Sequence, residues 1–263
     1  MPYWLVFDIE TIPDATLGRR WLGAKAGESD AGVRQAMLAA RREETGHSDF
    51  LKPPFHQVVA IAAALIDETG DIRRLGPLGQ ASDAEAELVR HFFRIVEEVK
   101  PCLVGWNSAA FDLPTLIYRA MRHEIAVPLF YRIGEPYHSY RKRYDEALHL
   151  DLMDLLSGYG ASARVSLEEA ALLVNVPGKL GVDGHQVIEL YEAGDLERIR
   201  HYCTHDVLTT TLVFAAYAYH RGWLTEETRD RLWLSARRWV WEGPEEVWAP
   251  FRAAWDRLRA REL

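Results

Sequence analysis

Tyr3-Trp4-Leu5-Val6-Phe7-Asp8-Ile9-Glu10-Thr11, close to the start of the chain, decides how the rest is read. Its first five residues form a short apolar, aromatic-rich run of the kind that suits a buried central strand. The run then ends in two acids one residue apart. Side chains two apart on a strand share a face, with Cα atoms roughly 6.6 Å apart. Asp8 and Glu10 therefore project together, and Ile9 points into the opposite layer. Two adjacent carboxylates repel unless something neutralises them, and a hard divalent cation prefers oxygen ligands of this kind. For Asp-x-Glu alone, a strand end where acids meet solvent is the plainer alternative.

Downstream, Pro13-Asp14 breaks the strand, and residues 14–50 read as a polar helical insertion rich in Ala and Arg, closed by Pro53-Pro54. Gln57–Asp67 reads as a second strand. A turn at Gly70 leads to a third around Ile72–Leu75, which together suggest an antiparallel meander. Ser82-Asp83 is placed to cap a helix running to about Val99. Cys102–Gly105 is another short buried strand, and after an Asn107-Ser108 turn, Asp112-Leu113-Pro114 opens the next helix. Residues 126–147 look like loop. Helices are expected at roughly 151–157, 166–174 and 184–192, with a long one from Asp195 to about His220. The order predicts an α/β fold, a mixed sheet flanked by helices.

Beyond Gly222 the composition shifts, and residues 223–263 hold six of the nine tryptophans. Residues 1–220 are thus expected to form the main domain, and 221–263 a Trp-rich helical extension. The extension either packs on the parent domain through aromatic anchors or forms a homodimer interface.

At 263 residues, 48% hydrophobic and 27% charged, the chain can bury a sizeable core. There is no apolar stretch of the roughly 20 residues that span a bilayer and no signal-peptide pattern, so a soluble cytoplasmic protein without a membrane partner is expected. Cys102 and Cys203 lack CxxC-like company and read as reduced structural thiols. The net charge of −8 weighs against general affinity for a polyanion. It is compatible with an enzyme that meets phosphates through metal ions held by carboxylates.

Two further acids stand out. Asp112 follows the second buried strand and a tight turn, which brings it to the sheet edge where Asp8 ends; a helix N-cap is the alternative reading. Asp206 falls within a helix, and Tyr202, four residues earlier, lies one turn back on the same face.

Phe7-Asp8-Ile9-Glu10-Thr11, Asn107-Ser108-Ala109-Ala110-Phe111-Asp112 and Tyr202-Cys203-Thr204-His205-Asp206 fall in the order of the three exonuclease motifs of the DEDD superfamily, and resemble D-x-E-T, N-x-x-x-F-D and the Y-x-x-x-D of its tyrosine branch. The likeness is to stand-alone proteins similar to the proofreading domain of family-B DNA polymerases, and spans about residues 3–220. His149–Leu156 and Gly181–Ile188 also resemble that group. The resemblance implies a ribonuclease H-like sheet and a 3′–5′ exonuclease acting on single-stranded DNA or RNA 3′ ends, DNA favoured. It implies that Asp8, Glu10, Asp112 and Asp206 hold two divalent ions, Mg²⁺ or Mn²⁺, about 3.5–4 Å apart, flanking an in-line displacement at phosphorus. Tyr202 would orient or deprotonate the attacking water, and nucleoside 5′-monophosphates would be released. Thr11, Asn107 and Phe111 are candidate contacts to the terminal nucleotide, Phe111 equally a core residue. A 3′–5′ exoribonuclease and a catalytically silent nucleic-acid-binding module are the alternatives.

Some features stay open. His201 stands five before Asp206, matching the sister branch, but five residues is about 140° around a helix and four is about 40°, so Tyr202 is the better partner. His205 reads as a polar face residue. Ser108 stands where a Gly often follows the motif's Asn, which leaves the turn type undecided. The loop Tyr131–Tyr144 interleaves aromatics with cations, suited to single strands, and offers Tyr140, Arg141 and Arg143 as substrate contacts; an ordinary solvated loop is the alternative. Arg19-Arg20 and Arg41-Arg42 are weaker candidates. A phosphatase of the haloacid-dehalogenase type would want D-x-D-x-T, which Glu10 and the early Thr11 do not supply.

Overall fold

The computed structural model describes residues 3–23, 27–178 and 184–259. Elements follow in the order β1 (Tyr3–Pro13), α1 (Ala15–Leu22), α2 (Asp30–Thr45), β2 (His56–Asp67), β3 (Ile72–Pro77), α3 (Glu85–Val99), β4 (Cys102–Gly105), α4 (Asp112–Arg122), α5 (Pro128–Arg132), β5 (His149–Asp151), α6 (Leu152–Leu156), α7 (Leu167–Leu173), α8 (Gly184–Glu192), α9 (Leu196–His220), α10 (Glu226–Glu242) and α11 (Glu245–Arg259).

The five strands form one mixed sheet in the order β3-β2-β1-β4-β5. The first three pair as the expected antiparallel meander, and β4 and β5 add in parallel. Alternation along β1 divides the core. Leu5, Phe7 and Ile9 enter a cluster with α3 and α4 on one face. Val6 enters a cluster on the other face, built from α9 and the C-terminal helices. Asp8 and Glu10 belong to this second face, and a bulge between Glu10 and Thr11 shifts the register with β2, which then pairs on to Pro13.

Buried along almost its whole length, α9 lies across that face of the sheet. Arg200 is buried there too, and its guanidinium donates to the carbonyl of Gly79 at 2.7 Å in the turn after β3. The insertion after β1 folds as α1 and α2. Asp14 caps α1 through the amide of Leu17, and its other oxygen meets Arg119 of α4 at 2.8 Å. Arg119 also contacts Glu85 at the start of α3, so a buried ion cluster fixes insertion, α3 and α4 together.

Several expected boundaries shift. α3 starts after Ala84, because Asp83 accepts from the amide of Gln80 and closes a local turn instead of capping the helix. Residues 149–151, of which only Asp151 was expected to open a helix, form β5, held by parallel pairing to β4. The segment expected to be all loop contains the short α5.

The Trp-rich helices pack on the parent fold. Trp248, Phe251 and Trp255 are buried in the cluster that contains Val6 of β1, and the Trp239 indole donates to the carbonyl of Ile72 at 3.1 Å. His205, expected on a polar face, is instead buried beneath α11. Its ring donates to the carbonyl of Val247 at 2.6 Å, and burial holds it neutral, down to about 4. Among the described residues no helix is long and apolar enough to cross a membrane.

Candidate active site

Asp8 and Glu10 project from β1, just before its bulge, toward α9, and α9 returns Tyr202, Cys203 and Asp206 to meet them. Asp8, Glu10 and Cys203 each place a ligand atom within 4.8 Å of the others. Asp112, the first residue of α4, reaches the group from the side, where its Oδ1 accepts the amide of Ile9 at 3.2 Å. The other three acids all act on Asp8. Burial, then the charges of Asp112, Glu10 and Asp206, hold the Asp8 carboxyl well above the usual carboxylate range. Burial and the charge of Asp151 push Asp112 up to about 7.

Tyr202 lies one turn before Asp206, and its hydroxyl is hydrogen-bonded to that carboxylate. Burial, followed by the charges of Asp206, Glu10 and Asp8, drives the phenol far upward, so it keeps its proton. His201 faces elsewhere, close enough to His205 to disfavour charge on it. Cys203 is not only structural. Its thiol donates to the Asp8 backbone carbonyl at 3.4 Å and lies 3.6 Å from Asp8 Oδ2. A residue three before Asp206 shares its helix face, so the sequence did hold that signal.

Asp8, Glu10, Tyr202 and Asp206 line a cleft of about 390 Å³ together with Thr11, Phe50, His56 and Phe111, while Asp112 is buried and does not line it. No lysine or arginine is among the described residues lining it. Carboxylates converging without an organic cation are a poor arrangement for a bare protein and a good one for hard divalent ions, whose oxygen ligands they match.

The second motif is built on a backbone turn. Asn107 takes φ +60°, a left-handed conformation that Asn tolerates. Ser108 then points inward, fully buried, and its hydroxyl pairs with His149 Nε2 at 2.9 Å. His149 Nδ1 faces the Tyr140 carbonyl, which can only accept. The ring therefore donates there and accepts from Ser108, consistent with burial holding it neutral, down to about 4. The serine fits because Gly105 makes room: a Cβ there would come within 2.5 Å of the Ser108 side chain.

Asp151 at the end of β5 went unnoticed in the sequence. It accepts the amides of Asn107 and Ala109 at 3.0 and 2.9 Å and so holds the turn that carries Asp112. His56 and Phe50 were also missed, since neither sits in a recognisable motif.

The basic loop divides. Tyr140 is buried rather than exposed on the loop: it stacks on Phe130 and donates its hydroxyl to the Pro101 carbonyl at 2.8 Å. Arg143 forks onto Asp154 at 2.7 and 2.9 Å, and Arg141 lies exposed over the Tyr131 ring. Both border a separate groove that reaches Ala109 in the motif turn. On the insertion, Arg19, Arg41 and Arg42 pair with Asp30, Glu44 and Asp49.

Residues 48–255 match the model of a family described as predicted 3′–5′ exonucleases related to the exonuclease domain of PolB. The chain belongs to this family. The match covers Asp112, Tyr202 and Asp206 and begins beyond β1, so Asp8 and Glu10 lie outside it. A DNA polymerase of Pyrococcus glycovorans is 24% identical over 190 residues, which is 69% of this chain and 24% of the polymerase. The family B DNA polymerase of Pyrobaculum calidifontis shares the fold, with a TM-score of 0.54 at 19% identity over 83% of this chain and 25% of that one. The chain thus spans about a quarter of the length of these polymerases. The segment Gly181–Ile188, another point of likeness to the PolB-exonuclease-related group, lies partly outside the described residues; of it, Ile188 lines the cleft.

Proposed function

We propose that this member of the PolB-exonuclease-related family is a metal-dependent 3′–5′ exonuclease of the tyrosine DEDD branch that trims single-stranded ends, DNA before RNA. The observation that carries the reading is the convergence of Asp8, Glu10 and Asp206 on one cleft, with Asp112 close enough to act on Asp8 and Tyr202 bonded to Asp206. These four carboxylates would hold Mg²⁺ or Mn²⁺. Bound there, such ions supply Lewis-acid stabilisation of phosphate charge and a water of lowered pKa.

The chain's own contribution is positioning. Asp112 is fixed to β1 through the Ile9 amide, so the strand and helix ligands keep one geometry. Tyr202 remains a phenol and orients a water by hydrogen bonding, with Asp206 holding its hydroxyl in place. The turn at Asn107, braced by Asp151, presents Phe111 to the cleft. The separate groove bordered by Arg141, Arg143 and Ala109 would suit the phosphates of the remaining strand.

Incubation with single-stranded DNA and RNA of one sequence, with Mg²⁺, Mn²⁺ or EDTA, tests this. Nucleoside 5′-monophosphates should accumulate with either metal, faster from DNA, and not in EDTA. Stable binding of both strands without any released nucleotide would favour the silent binding module instead.

A further inference from the structure

Away from the cleft, aromatic rings and cations gather along one strip of surface. It starts at the groove beside the motif turn, where Arg143 and Ala109 are among the lining residues. The Arg143 guanidinium lies 5.8 Å from the centre of the Tyr144 ring, and that ring lies 4.9 Å from Tyr159. The Tyr159 hydroxyl donates to Glu146 at 3.2 Å, and Arg221 donates to the other oxygen of that carboxylate at 2.7 Å. Arg221 also donates to the Tyr217 hydroxyl at 3.1 Å and covers the Trp223 ring at 4.9 Å. A chain of contacts thus links the rim of the groove to the far end of α9. Tyr217 stands about 22 Å beyond Tyr202 along that helix.

Three features set this strip apart from an ordinary solvated face. Tyr144 is 71% exposed and Trp223 38%, and contiguous ring surface left in water marks an interaction site. Tyr159 holds φ +58°, a left-handed conformation that a bulky residue adopts only where its surroundings impose it, with its ring set against Tyr144. Arg143 and Arg164 share the one carboxylate of Asp154, at 2.7 and 2.9 Å, so positive charge is left over in a chain of net charge −8. Exposed rings beside surplus cations match a polyanion whose every unit carries a flat base and a phosphate. A neutral protein surface would match the rings and leave the charge unanswered.

We propose that this strip is a second, distal binding surface for the substrate, holding single-stranded nucleic acid on the 5′ side of the nucleotides in the cleft. Tyr144 and Trp223 stack on bases, and Arg143 and Arg164 meet phosphates near the groove. The inference rests on the nuclease reading and deepens it: long single strands are retained by the strip, whereas strands too short to reach the end of α9 are held by the cleft alone. Selection is by length and not by sequence, because every base has a face on which a ring can stack.

Anisotropy in Ca²⁺ separates binding by the strip from cutting in the cleft. Fluorescein-labelled oligothymidylates of about 4 and about 16 nucleotides, the range of single-strand site sizes, are titrated with the full chain. The wild type should bind the longer strand about tenfold or more tighter, the scale of one base–aromatic stack. Tyr144→Ala and Trp223→Ala should each lose about tenfold on the longer strand and leave the shorter one unchanged. Trp223→Phe, which can still stack, should keep the preference. Arg164→Gln should lower the slope of log Kd against log salt on the longer strand by about 0.7, the effect of one phosphate. Tyr144 is the most exposed ring of the strip, so its removal should leave the fold intact, and an unchanged Tm checks this. Equal wild-type affinity for the two lengths overturns the strip. A preference that all these variants keep also overturns it, and leaves the rings to a protein partner. Loss of the preference in the variants, without hydrolysis by the wild type in Mg²⁺ or Mn²⁺, keeps the strip and overturns the nuclease reading. Hydrolysis with no preference for length does the reverse.

Discussion

The amide of Ile9, between the two acids of β1, donates to Asp112 Oδ1 at 3.2 Å across 103 residues of sequence. That bond ties the first carboxylate of α4 to the strand carrying Asp8 and Glu10, and it draws Asp112 into a buried acidic group. Without metal the arrangement costs stability, and the cost depends on pH.

Asp112 has an ordinary value of 3.8 and is pushed up to about 7 in the fold. Its protonated form is favoured by folding, so its contribution is fully present below about pH 4 and lost as pH rises through about 7. The buried His56, His149 and His205, each held down to about 4, act in the opposite sense below their usual 6.5. The difference between wild type and Asp112→Asn cancels them. In EDTA, wild-type stability relative to that variant should fall between about pH 4 and about pH 7, measured by urea denaturation. Parallel curves would show that Asp112 is not in a strained acidic group.

At pH 8 divalent cations should reverse that cost. Saturation at about 100 times Kd raises stability by about 2.7 kcal/mol, so Mg²⁺ or Mn²⁺ should raise the Tm of the wild type by several degrees. Asp8→Ala should respond to neither ion. A mutant that responds as the wild type does would place the binding elsewhere.

Tyr202→Phe keeps the ring and removes the hydroxyl held by Asp206. Its kcat should fall by about 10²-fold with KM nearly unchanged, and its Tm response to Mg²⁺ should persist. His201→Ala should stay within about twofold of wild type. The opposite order would assign the site to the histidine branch.

Asp151 accepts four amides, those of Asn107, Ala109, Met153 and Asp154. Removing its carboxylate leaves donors of two segments without partners, so Asp151→Ala should lose about 2–4 kcal/mol in urea unfolding. It should also lower kcat, because the turn that it braces positions Asp112. A loss under about 0.5 kcal/mol would mean that the turn holds without it.

What could be read from the sequence was whatever had strong local periodicity or a fixed spacing. Apolar residues Tyr3–Phe7 followed by alternating acids gave β1 and the shared face of Asp8 and Glu10, and the four-residue spacing in α9 gave the Tyr202–Asp206 pair. The misses have physical causes. β5 has three residues, too few for a period, and exists because β4 offers a parallel edge. Tyr140 sits among Arg141, Lys142 and Arg143, a neighbourhood that suggests solvent, yet its ring found Phe130 and its hydroxyl a carbonyl. Phe50, His56 and Asp151 act through contacts at sequence separations of 40 residues or more as well as local ones, which no local pattern encodes.

The most direct test of the central claim follows a 5′-labelled single strand with time in Mg²⁺, for the wild type beside an Asp8→Ala, Asp206→Ala double mutant that retains its fold. The account predicts a ladder shortening from the 3′ end with the wild type, absent in EDTA and absent with the mutant. A ladder of equal rate from the mutant, or a wild type that shortens neither DNA nor RNA with either metal, would contradict it.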